Sequence, residues 1–84
     1  MRLNNNQKDD MIEGYKDLID CEFRHFKGNL YRLEGIAKDS ETLEEMVVYR
    51  ALYGEHGLWV CPAKMFFETF ERDGKRMKRF EKVK

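Results

Sequence analysis

The chain of 84 residues has one proline, Pro62, two cysteines and no net charge, and each scarcity excludes something. With so little proline and only six glycines there is no proline-rich spacer and no low-complexity tract. Two cysteines cannot staple a disulfide scaffold, and Met1 to Asn6 lead into no apolar signal core, so the expected compartment is the cytoplasm, where Cys21 and Cys61 stay reduced. No stretch approaches the roughly 18 consecutive apolar residues that cross a bilayer, so no membrane partner is expected. Sixteen Lys and Arg against sixteen Asp and Glu remove any whole-molecule attraction to nucleic acid or to an anionic surface.

What is present points to one small folded unit. A chain of this size buries only about 60% of the surface its unfolded form exposes, which disfavours a deep enclosed site and favours a surface groove. Hydrophobic residues at 42% and aromatics at 13% are nevertheless too many for a disordered tail. The charge is also unevenly placed. From Arg72 to Lys84 there are seven basic residues (Arg72, Lys75, Arg76, Lys78, Arg79, Lys82 and Lys84) against Asp73 and Glu81, so a basic end follows an acidic body.

Residues 1–21 read as a loose polar terminus followed by an amphipathic helix, and residues 22–84 as the globular domain. Asp10 and Glu13 resemble a capping box, and Met11, Ile12, Tyr15, Leu18 and Ile19 form one stripe of a helix from Met11 to Ile19. So short a helix needs a docking partner, either the domain or a second copy of the chain, which makes a homodimer through this helix an expectation.

From Glu22 the pattern turns to β. Phe23–Phe26 and Leu30–Leu33 flank Lys27-Gly28-Asn29, a hairpin turn. Gly35 interrupts the second strand and predicts a bulge or corner with little room for a side chain. Glu44–Ala51 is apolar on both faces and so should be central, with Val47, Tyr49 and Ala51 on one face and Met46, Val48 and Arg50 on the other. Leu58–Cys61 is a further strand, and Pro62 opens a helical turn through Met65. Phe67–Glu71 and Arg76–Glu81 bracket Asp73-Gly74, another hairpin. Five to six short strands in about sixty residues would leave one face bare if flat, so the predicted architecture is mainly β, a small SH3-like barrel with an N-terminal α-helix.

The blocks Arg24-His25-Phe26-Lys27-Gly28, Gly35-Ile36-Ala37, Val47–Gly54, Gly57-Leu58-Trp59-Val60, Pro62, Met65-Phe66 and Asp73-Gly74-Lys75-Arg76 run in order along two-thirds of the chain. Together they resemble the bacterial family known as domain of unknown function 1653. The resemblance implies a small SH3-like barrel and carries no biochemical activity with it. The family pattern usually has Arg where this chain has Cys61, and Pro where it has Lys78.

Candidate chemistry is sparse. Cys21 with His25 and His56 with Cys61 supply four zinc-type ligands, but neither spacing makes a metal knuckle, and no metal or other cofactor is called for. There is no nucleophile elbow and no phosphate-cradling glycine loop, and Glu41, Glu44 and Glu45 read as a solvated acidic loop. His25, Tyr49, Arg50, Tyr53 and Trp59 are the ligand-binding candidates, because their large side chains keep a polar handle and tolerate partial exposure. The reading is a non-enzymatic binding module with an aromatic and polar groove, taking a peptide, nucleotide or protein ligand. Two other readings are a nucleic-acid contact through Arg72, Lys75, Arg76, Lys78 and Arg79, and a small enzyme or accessory domain in nucleotide metabolism.

Overall fold

The computed structural model of the protein describes residues 15–84. Among them the chain forms seven β-strands and one short helix: β1 (Glu22–His25), β2 (Leu30–Lys38), β3 (Glu45–Ala51), β4 (Leu58–Pro62), α1 (Ala63–Phe66), β5 (Thr69–Arg72), β6 (Lys75–Lys78) and β7 (Phe80–Lys82). The fold is mainly β, as expected. Five strands make an antiparallel sheet in the order β4-β3-β2-β1-β7, and β5 and β6 form a separate two-stranded sheet.

Three sequence signals appear where the residues placed them. Asp73 and Gly74 take φ 54° and 78° in the β5–β6 turn, the pair of positive values a primed hairpin requires, whereas the β1–β2 connection is a three-residue loop in which the Gly28 N–H bonds the His25 carbonyl and Gly28 alone has positive φ, 112°. Across Gly35 the β2–β3 register steps from Leu33 opposite Tyr49 to Gly35 opposite Val48, so Glu34 is the extra residue of a bulge. β3 is central between β2 and β4, and Val47 and Ala51 on its inner face are buried.

Four expectations need correction. The ladder does not close: β4 and β7 are the two edges of the five-stranded sheet, so hydrogen bonding alone makes no barrel. The run predicted as one strand from Arg76 to Glu81 breaks at Arg79, giving seven strands rather than five to six. Arg79 donates its N–H to the Glu68 carbonyl while its own carbonyl accepts from the Phe26 N–H, and the chain crosses there from the small sheet to the large one. Gly35 is not crowded, because a Cβ built on it meets no atom within 4 Å. Of the predicted helix, Met11 to Gly14 fall outside the described residues. Tyr15 and Lys16 are helical, but Leu18 and Ile19 then donate to carbonyls three residues back, and Asp20 at φ 73° turns the chain into β1.

The core sits between the inner sheet face and α1. Phe23, Leu33, Val47, Ala63, Phe66 and Phe80 form it, with Tyr15, Leu18 and Ile19 packed on its border. Tyr15 stacks on Phe67 at 4.6 Å, so at least this part of the apolar N-terminal stripe is used within the chain. No helix among the described residues is long and apolar enough to cross a membrane.

These positions separate two kinds of glycine. Gly74→Ala should cost about 1 kcal/mol, because alanine is strained at positive φ, whereas Gly35→Ala should change stability by under about 0.5 kcal/mol. Phe66→Ala, which empties the centre of the core, should cost about 3–5 kcal/mol. Urea unfolding followed by circular dichroism ranks the three variants, and a Gly35→Ala loss equal to that of Gly74→Ala would contradict the open space at the bulge.

Candidate functional site

Strand alternation sets a row of rings on one side of the large sheet. Trp59 on β4 lies opposite Tyr49 on β3, and His25 on β1 lies opposite Phe80 on β7. Tyr31 on β2 reaches between them, its ring 5.3 Å from Tyr49 and 5.5 Å from both Phe80 and Tyr53. A cleft of about 330 Å³ opens over this row, with Trp59, Tyr53, Met65 and Arg79 around it. Phe80 is buried at its base, whereas Trp59 is 56% exposed and Tyr53 42% exposed. The tryptophan is therefore not a core residue.

Of the five predicted ligand-binding residues, the cleft gathers His25, Tyr49, Tyr53 and Trp59. Arg50 is excluded by simple alternation: next to inward-facing Tyr49, it projects from the other face. There its Nη1 donates to the His56 carbonyl at 2.9 Å, and its Nε lies 3.3 Å from the Glu34 carboxylate. Arg32 holds the same carboxylate at 2.8 Å and, with Arg50, keeps Glu34 below the usual carboxylate range. The cation in the cleft is Arg79, and sequence reasoning placed it with the basic end instead. Its guanidinium pairs with Glu68 and lies over the Phe70 ring at 5.2 Å. Tyr31, Met65 and Phe80 are lining residues that the sequence did not single out, and Cys61, weighed there only as a metal ligand and as a departure from the family pattern, lines the cleft too.

Burial favours the neutral forms of His25, Tyr31, Tyr49 and Cys61 in the cleft. The Nδ1 of His25 accepts the Lys27 backbone N–H at 3.1 Å, which leaves the proton of the neutral ring on Nε2 as a donor. Burial, then the charges of Arg79 and Lys27, lower the pKa of His25. Burial pushes the Cys61 thiol up, an effect only partly opposed by Tyr49 and Arg79. Tyr49 is pushed up to about 12, first by burial and then by its contact with Cys61. Tyr31 is also pushed up to about 12, by burial and by the hydrogen bond of 2.7 Å between its hydroxyl and that of Tyr53. At neutral pH the cleft thus offers π-faces, hydroxyl and imidazole donors, and one guanidinium already committed to a carboxylate.

The remaining basic residues named from the sequence gather elsewhere. Arg72, Lys75, Arg76 and Lys78 all lie on the β5–β6 hairpin. Cys21 and His56, the other members of the weighed Cys/His pairs, do not line the cleft.

Strand arrangement and cleft together define a small, mainly β domain with an open, ring-lined surface site. The chain belongs to the DUF1653 family, described as a protein of unknown function, whose pattern matches residues 21–82. It is similar to a DUF1653 protein from Bordetella bronchiseptica with a known crystal structure: the two are 31% identical, with a TM-score of 0.69 over 81% of this chain and 90% of that one. No curated protein matches the chain. The matched segment contains every residue of the cleft, and it begins after the Tyr15–Ile19 packing segment.

The lowered pKa of His25 fixes the sign of a pH effect. The unfolded chain takes up this proton near pH 6.5 and the folded chain only at lower pH. Between those values the unfolded state holds more protons, so stability falls as the pH is lowered. Melting temperature should therefore decline on acidification below about pH 6.5, ahead of carboxylate titration, and His25→Gln should flatten that part of the profile. An unchanged slope in the variant would show that another group is responsible.

Proposed function

We propose that the domain is a non-enzymatic binding module of the bacterial cytosol, an SH3-like sheet whose cleft receives a flat-ringed ligand. The observation that carries this reading is the exposure of Trp59 and Tyr53 above a base of Tyr49 and Phe80. A large ring held open to water beside a packed aromatic floor forgoes burial that a domain this small has little surplus to replace. A ligand ring sliding between Trp59 and Tyr53 recovers that contact, and the Nε2 proton of His25 and the tyrosine hydroxyls supply direction. Among recognition modes this resembles aromatic-lined grooves that stack on planar or prolyl groups rather than charge-reading pockets.

The reading of a small enzyme receives less support. Cys61 and His25 share the cleft, but a thiol raised by burial and an imidazole kept neutral do not make the thiolate–imidazolium pair that nucleophilic catalysis uses.

The only tryptophan of the chain makes the test direct. Acrylamide should quench Trp59 efficiently in the free protein. Adenosine or a proline decamer at millimolar concentration should shift the indole N–H and the Tyr53 and Cys61 amides in NMR spectra. Trp59→Ala should abolish those shifts while costing under about 1 kcal/mol of stability. A tryptophan inaccessible to quencher, or a Trp59→Ala variant that does not fold, would remove the cleft as the site.

A further inference from the structure

We infer that the ring cleft and the β5–β6 hairpin act as one track for single-stranded nucleic acid, with bases on the rings and phosphates on the hairpin. The inference rests on the cleft reading above and adds the class of partner. Continuity between the two regions is carried by rings. Tyr53 leads to Tyr31 at 5.5 Å, Tyr31 to His25 at 6.3 Å, His25 to Phe26 at 4.5 Å, and Phe26 to Phe70 on β5 at 4.9 Å. His25 is the joint. It lines the cleft on one side and, on the other, a groove of about 460 Å³ between β1 and β6.

That groove is basic. Arg24, Lys75, Arg76 and Lys78 line it, with Glu81 as its one carboxylate. An adjoining recess shares Phe26 and Lys75 and adds Lys27, Arg72 and Asp73. Lys27 and Arg72 lie over the Phe26 ring at 5.8 and 5.4 Å. Among the described residues, none of these six cations forms an ion pair, whereas Arg32, Arg50, Lys64 and Arg79 each have a carboxylate partner. A cluster of cations without carboxylate partners therefore gathers beside Phe26.

Unpaired cations next to a chain of rings match the two halves of a nucleotide. Phosphates release counterions when they meet Lys and Arg, and exposed bases stack on aromatic faces without regard to sequence. A duplex hides its base faces from Trp59 and Tyr53. A poly-acidic peptide such as poly-glutamate brings charge but no ring. Arg79 is already held by Glu68, so phosphate binding falls to the hairpin and stacking to the cleft.

The test uses the full chain with fluorescein-labelled oligo-dT and oligo-rU of ten nucleotides, read by anisotropy. Engaging three to four phosphates should weaken single-strand binding about 20- to 50-fold between about 50 and 200 mM NaCl. A duplex of equal length should bind at least tenfold more weakly. The triple variant Lys75→Glu, Arg76→Glu, Lys78→Glu should lose oligonucleotide binding yet keep its melting temperature and the adenosine shifts at Trp59. Trp59→Ala should weaken oligonucleotide binding tenfold or more while leaving the salt dependence in place. Equal binding of the duplex, equal competition by poly-glutamate, or salt-independent binding would overturn the inference. Adenosine shifts at Trp59 with oligonucleotides binding no tighter than the nucleoside would also overturn it while sparing the cleft; absence of both would overturn the two readings together.

Discussion

The rings of Phe66 and Phe80 lie 4.0 Å apart and within 9° of parallel, both almost wholly withdrawn from water. Phe66 comes from the helical turn directly after β4, and Phe80 from β7, so the contact joins the two ends of a sheet whose backbone ladder stays open. In a closed barrel, hydrogen bonds between the edge strands would do this work. Here an aromatic stack does it, with Phe23 edge-on to Phe66 at 5.2 Å and Tyr49 5.3 Å from both rings. Curvature follows from the same contact, because the sheet must bend for its edges to share one cluster, and the Glu34 bulge in β2 supplies part of the bend.

The ring that closes the core is also the base of the cleft. Phe80 is packed against Phe66 and is also reached by the rings of Tyr31 and His25, so the site is built directly on the core. The exposed rings, by contrast, stand at the margin. Trp59 belongs to an edge strand on which Leu58 and Val60 are also open to solvent. An edge of this kind invites pairing with another chain, and it is kept short: Pro62, which has no N–H to offer, ends β4 and starts α1.

Local signals in the sequence were read faithfully by the backbone. Asp73-Gly74 and Gly28 mark turns because few residues accept positive φ, and Gly35 marks the bulge although the adjacent Glu34 is the inserted residue. Alternation on β3 put Tyr49 and Arg50 on opposite faces, which was already reason to separate them as site residues. Barrel closure and the position of Arg79 were not legible, because both depend on contacts far apart in sequence. A count of strands says nothing about whether β4 meets β7. Likewise, Arg79 stands where alternation fails, between two strands that belong to different sheets.

That crossing at Arg79 organises core and surface together. Its backbone is bonded on both sides, to Glu68 and to Phe26, and its guanidinium pairs with the Glu68 carboxylate, so the junction is fixed by main chain and side chain at once. Had β6 run straight on as the sequence pattern suggested, Phe80 would continue the small hairpin and could not pair with His25 or stack on Phe66. With the crossing in place, β7 is delivered to the large sheet while β6 stays behind with its unpaired cations, and His25 is left facing both. The basic hairpin therefore adjoins the aromatic cleft as a geometric consequence of the same residue that lets the core close.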